Sequence, residues 1–255
     1  MVPHVQAVLY VAHGSRVKAG VEEAIYFIER SKPLIDAPIQ EICFLELAAP
    51  NISEGITTCV ARGATKIAVV PILLLTAHHA NRDIPLEIEA GKIQYPNVEF
   101  TYGETFGVHS KIVDSLFDRL VERKANFDEH SSVLLIGRGS SDQAVKRDLT
   151  RIAQLLSEKY SIQQVDVCFL YGSKPSFDEA LWKLQQTNIQ QTYIIPYLLF
   201  SGILMNDIER KIIEESTNMQ MYILCENLGY HKNIQTVLLE RVNELLEKSL
   251  IKQPI

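Results

Sequence analysis

The sequence predicts an α/β protein of two tandem domains, each a four-stranded parallel sheet with helices on both faces, with the active cleft between them. Two observations carry that prediction. Apolar runs without alternation, the signature of strands buried on both faces of a parallel sheet, alternate along the chain with stretches of helical spacing. The second half also repeats the first. V-L-Y-V-A-H-G-S-R at 8–16 matches V-L-L-I-G-R-G-S-S at 133–141, an offset of 125 that sets His13 against Arg138. At that offset C-F-L-E-L-A-A-P (43–50) meets C-F-L-Y-G-S-K-P (168–175), and V-V-P-I-L-L-L (69–75) meets I-I-P-Y-L-L-F (194–200). F-G-V-H (106–109) then resembles L-G-Y-H (228–231), with the offset slipped to 122. So long a period marks duplicated domains, not a solenoid. We place them at 1–125 and 132–255, with the polar stretch 126–132 as linker.

Each element of the first half has a local reason. Residues 6–11 form an apolar strand that ends at His13-Gly14-Ser15. Residues 17–31 place Val21, Ala24, Ile25 and Ile28 at helical spacing, and 39–45 are strand-like. Pro50-Asn51 opens a helix that stops at Gly63, a glycine suited to the left-handed cap. A strand over 66–75, a helix over 85–95, a short strand over 98–102 and an amphipathic helix over 110–124 follow. Four βα units in series imply a parallel sheet. His109 and His231 match across the repeat, which favours a structural role at a helix start; Trp182 reads as core packing.

Composition narrows the function. The 255 residues, 47% hydrophobic and 22% charged, suffice for one large or two small cores. A net charge of −6 without a basic run argues against nucleic acid, and no apolar stretch approaches a membrane span. The opening ten residues are too short and interrupted for a secretory signal. Cys43, Cys59, Cys168 and Cys225 are widely spaced with no C-x-x-C, so we expect buried free thiols and a cytoplasmic protein.

Residues 69–85, V-V-P-I-L-L-L-T-A-H-H-A-N-R-D-I-P, organise the chemistry: an apolar strand turns abruptly polar. In open α/β sheets ligands bind beyond the carboxyl ends of the strands. His13, Glu46 and His79 each follow a different strand there, and neighbouring strand ends lie about 5 Å apart. Two imidazoles and a carboxylate make an open site for Fe²⁺, Co²⁺, Ni²⁺ or Zn²⁺. The bland alternative is three unrelated residues: a turn histidine, a surface acid and a polar helix start. Against it, the repeat carries Arg138, Tyr171 and Leu204 at these positions while keeping Gly14/Gly139, Pro50/Pro175 and Pro71/Pro196. The metal-capable set occurs once.

V-A-H-G-S-R, F-L-E-L-A-A-P and L-L-L-T-A-H-H-A-N-R-D-I-P together resemble the CbiX/SirB class of tetrapyrrole chelatases, in which the second histidine precedes x-x-x-D-I-P. That pattern selects His79 over His78, and Thr76-Ala77-His78 departs from the many relatives with a glycine two residues before the histidine. The resemblance spans nearly the whole chain. It implies tandem flavodoxin-like chelatase domains and insertion of a divalent metal into sirohydrochlorin: Fe²⁺ for sirohaem, or Co²⁺ on the anaerobic route to cobalamin. The end L-I-K-Q-P-I, without a His-rich tract or iron–sulfur motif, leans to the sirohaem ferrochelatase branch. His13, His79 and Glu46 would then hold the metal and move the pyrrole protons, with no cofactor beyond the substrate ion. The polycarboxylate substrate would meet Ser15, Arg16, Arg138, Ser140, Ser141, Ser201 and Gly202, with glycine turns offering N–H donors. G-S-S-D (139–142) is equally a helix N-cap sequence. We expect a monomer. A non-catalytic tetrapyrrole or metal carrier is the alternative from another class; a phosphoryl-transfer enzyme is weaker, since Val11-Ala12 replaces the arginine that would precede His13 in H-G-S-R.

Overall fold

The computed structural model describes residues 4–216 and 220–251. The readings that touch the two chain ends therefore lie partly outside the described residues. Contacts divide the chain into two compact units, residues 1–107 with 235–255, and residues 108–234.

The first unit holds β1 (Gln6–Ala12), α1 (Lys18–Ser31), β2 (Ile39–Phe44), α2 (Ile52–Ala61), β3 (Lys66–Ile72), α3 (Ile84–Gln94) and β4 (Glu99–Tyr102). Its strands are all parallel in the order β2-β1-β3-β4. β1 lies inside the sheet and, from Ala7 to Ala12, is buried on both faces, which explains its unbroken apolar run. Ala7, Leu9 and Val11 join Ile67 and Val69 of β3 and Ile52, Ile56, Ile84 and Ile88 of α2 and α3 in one core. Asn51 caps α2 through a reciprocal pair with Glu54, and Gly63 takes φ +94 just beyond that helix. The strand expected to reach residue 75 ends at Ile72.

The second unit holds α4 (Ser110–Glu122), β5 (Ser131–Gly137), α5 (Gln143–Tyr160), β6 (Val165–Phe169), α6 (Phe177–Gln185), β7 (Gln191–Tyr197), α7 (Ile203–Glu215) and β8 (Met221–Leu224), with parallel order β6-β5-β7-β8. β5 takes the last two residues of the expected linker. Trp182 corrects an expectation: it is 66% exposed, because α6 buries the stripe Phe177, Ala180, Leu181 and Leu184 and Trp182 falls one step off it. His109 and His231 each accept the backbone N–H two residues on, at Lys111 and Asn233, as helix-start residues do. Among the described residues no helix is long and apolar enough to cross a membrane.

The compact units do not follow the sequence repeat at their edges. α4 groups with the second unit, and α8 (Lys232–Ile251), from Gln235 onward, with the first. One arginine per helix performs the same task. In the first unit Arg241 donates to the carbonyls of Thr105 (2.9 Å) and Phe106 (3.1 Å); in the second, Arg119 donates to those of Asn227 (2.8 Å) and Leu228 (3.2 Å). These pairs are related by the offset of 122, so each repeat's last helix caps the loop that follows the other repeat's last strand. Arg241→Ala removes the donors from both carbonyls and is expected to destabilise the chain by about 1–3 kcal/mol. Urea denaturation checks this: the midpoint falls, whereas an unchanged midpoint would show that α8 docks without the arginine.

Candidate metal centre

The sheet itself assembles the site. β1 ends at Ala12, which lies in register with Phe44 of β2 on one side and Ile72 of β3 on the other. The pairing continues past the strands: Leu45 N–H donates to the Ala12 carbonyl (2.8 Å) and Glu46 N–H to that of His13 (3.1 Å). Glu46 is thereby tied to His13 through the backbone. Gly14 makes the approach possible. It sits at φ +90, and a Cβ there would collide with the Glu46 carbonyl oxygen. Gly139, at φ +88, stands in the same relation to Tyr171. That persistent glycine is backbone geometry, common to both units.

His79 arrives from the third strand. Residues 73 and 74 are held by the N–H groups of Phe106 and Gly107, and Thr76 Oγ1 meets Thr105 Oγ1 at 2.8 Å. One turn of π-helix, His79–Asp83, then precedes α3, which carries Pro85 in its first turn. Tyr102 at the end of β4 donates its hydroxyl to the Ala80 carbonyl at 2.8 Å, fixing that turn to the sheet.

The three side chains converge. The closest ligand atoms of His13, Glu46 and His79 all lie within 4.8 Å of one another, a little more than twice a metal–ligand bond of about 2.0–2.2 Å. The imidazole rings stand edge to face with centroids 5.1 Å apart, and His13 Nε2 lies 3.7 Å from Glu46 Oε1. All three are partly exposed, with side-chain accessibilities of 29%, 44% and 33% for His13, Glu46 and His79. The centre is open.

Hydrogen bonding selects the tautomer of His79. His79 Nδ1 is 2.8 Å from Asp83 Oδ2, and His13 Nδ1 is 3.3 Å from the Gly14 carbonyl oxygen. Both partners can only accept, an ionised carboxylate and a carbonyl. The short contact to Asp83 places the hydrogen of a neutral His79 ring on Nδ1 and leaves its lone pair on Nε2. A histidine whose far nitrogen is held by a carboxylate or carbonyl is the usual form of a metal ligand. Imidazole nitrogens and a carboxylate are donors that a divalent transition-metal ion accepts.

His78 is exposed and outside this cluster. All four cysteines are free and buried, and burial pushes the Cys59 and Cys225 thiols up to about 12. Thiolate is the form that binds metal, so these groups offer none. Of the anticipated substrate contacts, Ser15 and Ser140 use their hydroxyl oxygens alike, accepting from the N–H of Val17 (3.0 Å) and Asp142 (3.1 Å). Asp142 in turn caps α5 through the N–H of Ala144. Arg16, Arg138 and Ser141 are exposed; Ser201 and Gly202 are half-buried, between β7 and α7. Sequence reading missed Asp83, although its spacing of four from His79 and its place in D-I-P were visible. It also missed Leu47, which takes φ +62 directly after Glu46, a conformation that costs a non-glycine residue about 1–3 kcal/mol.

In the second unit the same ladder places Tyr171 N–H on the Arg138 carbonyl (2.9 Å). Arg138, Tyr171 and Leu204 replace the three donors there, so among the described residues the grouping of metal-capable side chains is confined to the first unit.

A repeated parallel α/β scaffold thus carries one open group of two histidines and a carboxylate that could hold a metal ion. The CbiX family model matches the chain twice, over residues 7–123 and 132–245, and the chain belongs to that family. It is 51% identical to the sirohydrochlorin ferrochelatase of Priestia megaterium over 96% of this chain and 92% of that one. The sirohydrochlorin cobaltochelatase of the same organism is 38% identical, over 96% and 81%. The solved structure of SirB from Bacillus subtilis with Fe³⁺ superposes with a TM-score of 0.89 at 43% identity, covering 97% of this chain and 98% of that one.

Replacing Asp83 by Ala is expected to weaken binding of Co²⁺ alone by about 10–100-fold, as loss of a ligand's hydrogen-bond partner usually does. Titration followed by the visible spectrum of the ion reads this directly. Equal affinity in the variant would mean that Asp83 does not orient His79.

Proposed function

We propose that this chain inserts a divalent metal ion into sirohydrochlorin, with Fe²⁺ as the physiological ion and the product on the route to sirohaem. The convergence of His13, Glu46 and His79 at three adjacent strand ends supports this reading best. Insertion requires that water be stripped from the ion and that two pyrrole N–H protons leave. His13 and His79 receive the ion through Nε2, and Glu46 completes the set while offsetting its charge. As the ion passes into the ring, an Nε2 released from it becomes a proton acceptor of suitable basicity. Glu46, the most exposed of the three, passes protons to solvent. Neither metal nor macrocycle changes oxidation state, so the reaction calls for no redox cofactor.

We assign the carboxylates of the substrate to polar groups at the carboxyl ends of the strands. In the unit that holds the three donors these are Ser15 and Arg16, which follow β1. Arginine and backbone N–H donors at helix starts suit such anions.

Co²⁺ is the second reading, favoured by the similarity to a cobaltochelatase. The two ions are neighbours in the Irving–Williams order, so a set of imidazole and carboxylate donors separates them weakly. Fe²⁺ is preferred because the ferrochelatase is the more similar of these two relatives over the same share of this chain.

The test is anaerobic mixing of protein with sirohydrochlorin and either ion, followed by absorbance on metallation. We expect acceleration over the uncatalysed rate, greater with Fe²⁺, and a loss of about 10²–10⁴-fold in His13→Ala and His79→Ala. Stoichiometric binding with an unchanged insertion rate would identify a carrier instead.

A further inference from the structure

Leu47 is an unusual residue for its place. It follows Glu46 directly, adopts φ +62, and is 49% exposed. A branched apolar residue in the left-handed region is disfavoured by its own Cβ, and exposure returns none of that cost through burial. The second unit shows the unstrained solution: its equivalent, Gly172, holds the same backbone at φ +65. The fold thus accommodates glycine at this turn, and only the unit with the three-donor centre carries leucine there. Neither backbone geometry nor core packing explains the choice.

Resting on the reading of the site as a chelatase centre, we propose that Leu47 is a substrate-contact residue, supplying an apolar surface beside Glu46 for the flat conjugated face of the tetrapyrrole. The charged rim of such a ring can be met by arginine and N–H groups, but its face offers only dispersion and the removal of apolar area from water. An exposed leucine next to a metal ligand can contribute that contact. It touches neither the ion nor the leaving protons, so it contributes to binding rather than to the chemical step.

Two variants test this: Leu47→Gly, which relieves the backbone, and Leu47→Asn, which tolerates the left-handed conformation but removes the apolar surface. In steady-state insertion assays both should raise KM for sirohydrochlorin about five- to tenfold, the worth of burying roughly half a leucine, with kcat little changed. Affinity for Co²⁺ alone should equal that of the unaltered protein, and the thermal midpoint of Leu47→Gly should be equal or higher. An unchanged KM in both variants would overturn the proposal. So would a joint loss of Co²⁺ affinity and thermal stability, which would make Leu47 a structural part of the loop. Absence of insertion by the unaltered protein would instead reject the chelatase reading itself.

Discussion

For His13, Glu46 and His79 to face one another, the ends of β2, β1 and β3 must lie side by side, and the strand order β2-β1-β3-β4 is what enforces this. Parallel strands a hydrogen bond apart present their carboxyl ends at a spacing that side chains the size of histidine and glutamate bridge. Everything else at the site refines that adjacency. The backbone ladder runs on from Ala12 into the two loops, Gly14 admits the Glu46 carbonyl, and Tyr102 pins the turn that carries His79. Asp83 then fixes which ring nitrogen of His79 bears the lone pair. The site is a consequence of topology first and of local hydrogen bonding second.

The two units separate scaffold from chemistry. Both keep the order of strands, the glycine at φ near +90, the continued ladder and the arginine that caps the loop after the last strand. They differ at the three donors and at Leu47/Gly172. Residues held in common answer to backbone geometry; residues present once answer to something the backbone does not require. That contrast, available inside a single chain, is the firmest physical ground for assigning roles to particular side chains here.

Much of this was legible in the sequence, because the signals are local or periodic. Unbroken apolar runs marked β1 and β3, Asn51 and Gly63 marked the ends of α2, and the offset of 125 exposed both the duplication and the missing donors. The exchange of α4 and α8 was not legible: repeats this alike present each helix with two equivalent docking surfaces, and nothing local decides between them. The early end of β3 at Ile72 was hidden because Leu73, Leu74 and Leu75 continue the apolar run into a half-buried loop. Trp182 shows the opposite error, a large apolar residue in a helical pattern expected in the core when its angular position on α6 puts it outside. The left-handed turn at Leu47 leaves no trace in residue type and emerges only beside Gly172.

The proposed chemistry depends on one divalent ion bound among His13, Glu46 and His79 through Nε2 of both rings. A crystal structure of the protein grown with Co²⁺ tests it most directly. A single strong anomalous peak is expected about 2.0–2.2 Å from both Nε2 atoms and a Glu46 oxygen, and none beside Arg138, Tyr171 and Leu204. An ion bound through Nδ1, or seated away from the ends of β1, β2 and β3, would contradict it.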